Sequence, residues 1–465
     1  MYKYKEILGI YNPWWIDSES AFKNLPAFRR SIFDEVFQDI DGIPQMISVT
    51  GPRRVGKSTI LRQIIKKLIS SGMNPEDICY YSFDDPALFS GRLDKEDFVA
   101  SLFETGGRPR YLFLDEIQTL ERWELYLKKY YDLGYPVKVL VSGSATSPIF
   151  KKSRESLMGR LKDFHMLPFS FYEYALFRHR GEPLIEEAIR SAKEAGSSLF
   201  RDPDGFVPFV PVGLKFEELD QLLIDYMMDG GFPEAWTLPS MQARQDYLYD
   251  NQIKKVIFED LVLAADFRKP ENLKRFFISL LENPGKEISL STFATETEIN
   301  LQQIQKYLPL LEMTDLVYSL PKFRAQVLRI RKGLAKYYIS DLALRNAIMR
   351  ISGFSRDDGS TLGLYAENLV YLTLRRQRDI LQIDYYREKD VEVDFILHTP
   401  GAHYLPLEVK YRNNIEKKYI KGIEHFTSKH KNVKRAIVIT KNSADIGEMY
   451  NTLAIPLPYY LLYTG

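Results

Sequence analysis

Short apolar runs alternate with stretches of helical period along this chain. Residues Met46 to Thr50 are apolar and β-branched, the pattern of a buried strand, and Thr59 to Lys67 continues at helical spacing. Ile78 to Phe83, Arg110 to Leu114 and Val137 to Ser144 repeat the strand pattern, each bounded by turn residues or acids. Ahead of them, Ala21 to Ile40 reads as a helix. The pair Trp14-Trp15 reads as packing at a domain edge in preference to an adenine shelf.

The pattern changes after residue 175. Residues 176–210 are rich in Glu, Lys, Gly and Pro and read as a linker or mobile insertion. Phe216 to Met228 is amphipathic, and Tyr247 to Ala265 is a longer apolar-periodic helix. Together these two predict a helical lid. From Asn272 the order becomes helix, short helix (Ser291 to Thr297), turn (Glu298 to Asn300), helix (Leu301 to Met313) and two strands (Leu316 to Leu320, Lys336 to Ser340). That is the order of a winged helix-turn-helix. Past Ser360 come a helix around Tyr365 to Leu372 and strands at Val391 to Leu397, Tyr404 to Tyr411 and Lys434 to Thr440.

Composition narrows the class. The 465 residues are 45% hydrophobic, with 63 basic against 62 acidic side chains and 30 tyrosines. Such a chain builds about three domains, and its near-zero charge leaves any nucleic-acid contact to local patches. One cysteine, Cys79, excludes an internal disulfide and a cysteine-based metal site. With no apolar run long enough to span a bilayer and no signal-peptide core, the expectation is a soluble cytoplasmic protein without a membrane partner.

The decisive chemistry lies between the first strand and helix. Gly51-Pro52-Arg53-Arg54-Val55-Gly56-Lys57-Ser58 fits Gly-x-x-x-x-Gly-Lys-[Ser/Thr], and Thr59 follows inside the helix. The glycines let the backbone curl so that amide N–H groups face phosphate oxygens, and the helix N-terminus adds partial positive charge. Lys57 is expected to reach the β- and γ-phosphates of ATP, and Ser58 to coordinate Mg²⁺. About sixty residues on, Leu114-Asp115-Glu116 closes a hydrophobic strand with two acids. Asp115 is the candidate for the metal shell and Glu116 for the general base. Ser144 ends the next strand, where it either senses the γ-phosphate or forms an ordinary turn.

These motifs, with Met158-Gly159-Arg160 and Leu167-Pro168-Phe169-Ser170-Phe171-Tyr172-Glu173, resemble the AAA-type ATPases widespread in archaea and bacteria. Gly230-Gly231-Phe232-Pro233-Glu234-Ala235 resembles that family's lid hallmark. The resemblance implies Ser144 as sensor and Arg160 as an arginine finger acting in trans on a neighbouring subunit or by closure in cis. The bland reading of Arg160 is a solvated helix-end cation. The finger reading in trans implies an assembly of like subunits, and a regulatory switch would instead recruit a protein partner.

At the C-terminus, Glu367, Asp394 and Glu408-Val409-Lys410 fall on helix, strand and strand, the layout of the restriction-endonuclease-like PD-(D/E)XK fold. Glu408 and Lys410 lie two apart on a strand and so share a face. Asp394 and Glu408 then offer two carboxylates to one Mg²⁺ or Mn²⁺, Lys410 orients water, and Glu367 adds a third carboxylate. The same ATPase family commonly carries such a domain. On the second helix of the winged helix, Gln302, Gln303, Gln305 and Lys306 are candidates for a DNA major groove. Lys322, Arg324, Arg329, Arg331 and Lys332 are candidates for phosphate contacts.

The expected architecture is therefore α/β. A P-loop AAA-type ATPase core with a parallel sheet spans 1–175, and an insertion and helical lid 176–265. A winged helix spans 266–345, and a restriction-endonuclease-like α/β domain 346–465. The leading expectation is an ATPase coupled to a DNA-binding, metal-dependent nuclease module. The alternative is an ATP-driven switch whose C-terminal domains bind DNA or protein without cutting. A nucleotide kinase is disfavoured by the water-activating Glu116 and by the winged helix that follows.

Overall fold

A computed structural model describes residues 4–88, 94–104, 110–144, 156–261, 270–324, 334–356 and 358–465. The chain divides into two compact units. The first holds Met1–Leu167 with the short segments Glu259–Asp266 and Met313–Asp315, and the second holds the remainder.

The first unit is built on an all-parallel sheet of β1 (Met46–Gly51), β2 (Ile78–Ser82), β3 (Tyr111–Asp115), β4 (Lys138–Ser144) and β5 (Leu161–His165), ordered β2-β3-β4-β1-β5. The strands β1, β2 and β3 are buried at every position, which is why they read as unbroken apolar runs. Helix Lys57–Ser70 turns Ile60, Leu61, Ile64, Ile65 and Leu68 inward, a stripe at helical spacing. Helices Lys95–Glu104 and Trp123–Asp132 bury Phe98, Leu102, Trp123 and Leu127 in the core with Tyr81, Phe83 and Leu112.

Ala21 to Ile40 is not one helix. A 3₁₀ turn at Ser20–Phe22 and a helix at Phe33–Gly42 flank an extended connection containing Pro26. That connection is tied down: Gln63 Nε2 donates to the Pro26 and Phe28 carbonyls at 2.7 and 2.8 Å. Trp14 and Trp15 do pack. Both indole N–H groups donate to the Ile78 carbonyl, and Trp14 stacks on Phe22.

The second unit corrects the reading of 176–210 as a linker. Pro183–Gly196 is a helix with Ala188, Ile189 and Ala192 buried, and Leu199, Phe200 and Phe206 are also buried. The apolar residues recur three to four apart, a signal that the Glu, Lys and Gly content obscured. Helix Phe216–Asp229 packs on its own unit's elements, with the Asn346 side-chain amide donating to the Met227 carbonyl at 2.9 Å and Phe216 against Tyr459. The region read as a long helix from Tyr247 begins earlier, as helix Met241–Leu248, and continues as π-turns at Tyr249–Lys254 and Val256–Asp260. Residues 262–265 of that prediction lie outside the described residues.

Two motifs that sequence reading kept apart meet here. Phe169 N–H donates to the Gly231 carbonyl at 2.8 Å, and the Phe169 ring lies edge-on to Trp236. A Cβ at Gly231 would stand 2.5 Å from the Phe169 carbonyl oxygen, and one at Gly230, where φ is +66°, 2.1 Å from Asp341. The glycine pair is thus required by close packing within the second unit.

Helix Pro270–Glu282, β6 (Glu287–Ser289), helices Leu290–Thr297 and Leu301–Met313, β7 (Val317–Pro321) and β8 (Leu334–Ile339) follow in order. The strands form an antiparallel sheet β6-β8-β7. Then come helix Gly359–Leu374, β9 (Gln382–Glu388), β10 (Val391–Thr399), β11 (His403–Lys410), helix Lys421–Lys429, β12 (Ile437–Thr440), β13 (Gly447–Met449), β14 (Thr452–Pro456) and helix Leu457–Tyr463. The sheet runs β13-β14-β12-β11-β10-β9. Strands β9, β10 and β11 are antiparallel, while β11, β12 and β14 are parallel.

Candidate functional site

The loop after β1 adopts backbone that only certain residues tolerate. Gly51 and Gly56 have φ of +145° and +99°, and Arg54 one of +65°. At Gly51 a Cβ would lie 2.0 Å from the Met166 carbonyl oxygen, because Met166 N–H bonds to the Thr50 carbonyl at 2.7 Å and draws that chain close. Arg30, which sequence reading passed over, braces the loop by donating to the Val55 carbonyl at 2.8 Å. Gly56 caps the helix that begins at Lys57, and Ser58 and Thr59 lie in its first turn.

Lys57 is buried and folds back on the loop, its ammonium donating to the Pro52 carbonyl at 2.7 Å and the Gly51 carbonyl at 3.2 Å. Burial lowers its pKa, opposed by the nearby Glu116 and Asp115 carboxylates. Asp115 ends β3 and is held on both oxygens. Tyr80 Oη donates to Oδ2 at 2.7 Å, Glu116 N–H donates to Oδ1 at 3.1 Å, and the Ser142 hydroxyl also donates to Oδ1. Glu116 sits at φ +48°, a left-handed conformation costly for a glutamate, and accepts from Gln118 Nε2. Ser144 is buried at the end of β4, paired in register with Gly51.

Lys57, Asp115, Glu116 and Ser144 therefore gather at one edge of the sheet, where β1, β3 and β4 end. The donor set suits a Mg²⁺-bound nucleotide: an anionic carboxylate, a hydroxyl at Ser58, an ammonium and a curled glycine loop. Tyr80, Ser142 and Gln118 were not singled out from sequence. Ser142 and Ser144 are two apart on a strand and so share a face, a signal that could have found Ser142.

Arg160 is elsewhere. Its carbonyl accepts from Met46 N–H, at the opening residue of β1, while Gly51 closes that six-residue strand. At about 3.3 Å per residue this puts Arg160 ~16 Å from the loop, at the opposite sheet edge. It is ion-paired with Asp132, Nε to Oδ1 at 2.6 Å and Nη2 to Oδ2 at 3.2 Å. A cis finger does not fit this placement.

A second cluster lies in the second unit. Glu367, Asp394, Glu408 and Lys410 do come together. Asp394 N–H donates to Glu408 Oε2 at 3.2 Å, Val409 N–H donates to Asp394 Oδ2 at 2.9 Å, and the Lys410 ammonium bonds to Glu408 and lies 3.8 Å from Asp394. Burial, then the Asp394 charge, raises the Glu408 pKa to about 8. Burial also works to raise Asp394, but Lys410, Lys336 and the Val409 amide prevail and hold it low.

Lys336 and Glu392 were missed. Lys336 enters from β8, buried, with its ammonium 2.7 Å from Glu392, 3.0 Å from Glu367 and 3.5 Å from Asp394. Burial disfavours its charge, yet Glu367, Asp394 and Glu392 outweigh this and hold its pKa well above the usual lysine value. Among the described residues, no group of three or more His, Cys, Asp or Glu side chains is arranged to hold a metal ion. With the Lys336 ammonium among Glu367, Glu392 and Asp394, and the Lys410 ammonium on Glu408, these side chains do not fit the divalent cation expected between Asp394 and Glu408.

Helix Leu301–Met313 exposes Gln302, Gln305 and Lys306, half-exposes Gln303, and buries Ile304, Tyr307 and Leu311. Lys322 and Arg324 follow β7. Arg329, Arg331 and Lys332 lie outside the described residues.

Comparison with known proteins finds a likeness for most of the first unit. Residues 44–175 match the model described as an AAA domain. The likeness is to an AAA domain and covers this segment alone. Its end at 175 lies a few residues past Leu167, where the first unit's main segment closes. Residues 220–355 and 362–460 match two models each described as a domain of unknown function. An uncharacterized protein of Methanocaldococcus jannaschii is 25% identical over 394 residues, 83% of this chain and 80% of that protein. One of Haemophilus influenzae is 24% identical over 393 residues, 82% of this chain and 87% of that protein.

Among solved structures, the S. cerevisiae Hsp104:casein complex aligns with a TM-score of 0.30 and 12% identity, over 64% of this chain. The chain spans only 52% of the Hsp104 chain it matches. C. elegans PCH-2 aligns with a TM-score of 0.30 and 16% identity, over 50% of this chain and 72% of PCH-2. No helix among the described residues is long and apolar enough to cross a membrane.

Proposed function

We propose that the AAA domain binds and hydrolyses ATP with Mg²⁺, and that this cycle governs a second unit that binds DNA without cutting it. The observation that carries the first half is the gathering of Lys57, Asp115, Glu116 and Ser144 around the loop Gly51–Ser58. In this reading Lys57 leaves the Gly51 and Pro52 carbonyls for the β- and γ-phosphates, and the loop amides hold their oxygens. Ser58 and Asp115 would hold Mg²⁺, whose chemistry is to neutralise charge on the phosphates. Glu116 takes a proton from the attacking water, Gln118 steadies its carboxylate, and Ser144 faces the γ-phosphate. Arg160, at the far edge of its own sheet, serves a neighbouring subunit's nucleotide, so the active form is an assembly.

DNA is the favoured partner because Gln302, Gln305 and Lys306 line the exposed side of a helix that follows a helix and a tight turn at Glu298, φ +57°. The order of helix Gly359–Leu374, three antiparallel strands, helix Lys421–Lys429 and a parallel strand supports the restriction-endonuclease-like fold. One observation favours the nuclease reading, namely the meeting of Glu367, Asp394, Glu408 and Lys410. Lys336 stands against it.

The test is DNA binding by fluorescence anisotropy with ADP, with ATP and without nucleotide, using wild type, Lys57→Ala and Gln305→Ala/Lys306→Ala. Affinity that changes with nucleotide in wild type, does not change in Lys57→Ala, and falls in the helix variant supports the proposal. No DNA binding in any nucleotide state refutes the DNA half and points to a protein partner.

A further inference from the structure

The acidic cluster in the second unit has more donors than a metal site leaves room for. Glu392 and Asp394 lie two apart on β10 and share a face, Glu367 comes from helix Gly359–Leu374, and Glu408 from β11. Each oxygen of the two expected metal ligands already faces an N–H group, and on each carboxylate, unlike at Asp115, one of these is an ammonium. Asp394 Oδ1 faces Lys336 at 3.5 Å, and Oδ2 takes the Val409 amide at 2.9 Å. Glu408 Oε1 takes Lys410, and Oε2 takes the Asp394 amide at 3.2 Å.

Lys336 is not a surface side chain that drifted in. It is paired in register with Glu287 of β6 on one side and Leu320 of β7 on the other, so the three-stranded sheet fixes where it emerges. Its side chain is 3% exposed, and its three N–H donors match three carboxylates. Tyr338, two residues along the same face of β8, donates from its hydroxyl to Glu367 Oε1 at 2.7 Å. A divalent ion at this point would share the space with two ammonium groups, a strong repulsion where little water screens it.

From this geometry we infer that Lys336 is the resident cation of the acidic site, doing for the carboxylates what a divalent metal would do. The second unit then takes up neither Mg²⁺ nor Mn²⁺ at Asp394 and Glu408. The cluster works instead as an ionic clasp joining β8 to β10 and to the helix that carries Glu367. Breaking such a clasp by removing one partner leaves buried charge without compensation. The inference deepens the reading of the second unit as a non-cutting module, and it is independent of ATP hydrolysis.

The experiment is a Mn²⁺ titration of the nucleotide-free full chain, read by the electron paramagnetic resonance signal of free Mn²⁺. Wild type, Glu408→Gln, Asp394→Asn and Lys336→Met are compared, with folding checked by circular dichroism. The wild-type, Glu408→Gln and Asp394→Asn curves are expected to superimpose. Lys336→Met is expected to gain one site at least about tenfold tighter than any in wild type, because its carboxylates lose their cation. A wild-type site missing from Glu408→Gln or Asp394→Asn overturns the inference, as does a folded Lys336→Met that gains nothing. If Lys336→Met does not fold, the wild-type and Glu408→Gln curves decide: superposition supports the inference, and a difference overturns it.

Discussion

Ser142→Ala isolates the support beneath the metal-shell candidate from the loop proposed to hold the nucleotide. The Ser142 hydroxyl donates to Asp115 Oδ1, and both residues are buried, so water cannot replace the lost donor. A hydrogen bond to a charged acceptor contributes about 1.5–3 kcal/mol, and part of that loss falls on the carboxylate's position. Asp115 keeps the Tyr80 hydroxyl and the Glu116 amide, which limits the loss to a shift of the carboxylate. If about 1.4 kcal/mol reaches the transition state, kcat for ATP falls about tenfold. KM should stay within about threefold, because in the proposed reading Lys57 and the loop amides hold the phosphates and Ser142 does not. Tyr80→Phe removes the donor on the other oxygen and should act in the same direction. The double variant should depart from additivity by at least about 0.5 kcal/mol, since both donors hold one group. Steady-state phosphate release measures all three variants. A Ser142→Ala kcat within about twofold of wild type, or a loss borne by KM alone, refutes the assignment of Asp115 to the reacting centre.

Two further outcomes follow from the geometry. Arg160→Ala and Lys57→Ala should each abolish hydrolysis, and mixing them should restore part of it. Some interfaces then pair an intact loop with an intact Arg160, and no recovery after subunit exchange would exclude action in trans. Asp341 caps helix Leu342–Met349 and accepts from Gly231 N–H at 2.6 Å. Burial lifts its pKa from 3.8 to about 6. The folded chain thus holds this proton more tightly than the unfolded chain, so the group's contribution is fully present below about pH 4. It declines between about pH 4 and 6, by ~3 kcal/mol in all, and is level above that. The stability difference between wild type and Asp341→Asn, from urea unfolding at each pH, should follow that curve. A difference that is flat from pH 4 to 6 contradicts it.

The candidate site was largely legible in the sequence because a phosphate-binding loop constrains consecutive residues. A glycine loop must follow a buried strand and open a helix, and Gly51 through Ser58 state this in one line of sequence. The support was less legible because it comes from other strands: Tyr80 and Ser142 reach Asp115 only through the β2-β3-β4 order. The same reasoning explains Lys336. Its sequence neighbours are Ala335 and Tyr337 on an apolar strand, and nothing local says that β10 and a helix will present three acids to it. A lysine at an interior strand position was itself a sign, since such a cation is seldom buried unless paired. Glycines 230 and 231 were read through family likeness as a lid hallmark, and the close contacts to Phe169 and Asp341 that require them were not legible in sequence.

The most direct test of the account is single-turnover ATP hydrolysis with Mg²⁺ by wild type and Glu116→Gln, with nucleotide binding measured in parallel. Both should bind ATP, because Lys57 and the loop are intact in each, and hydrolysis by Glu116→Gln should fall at least about a hundredfold with the general base gone. Hydrolysis by Glu116→Gln at the wild-type rate, or a wild-type chain that binds no nucleotide, would contradict it.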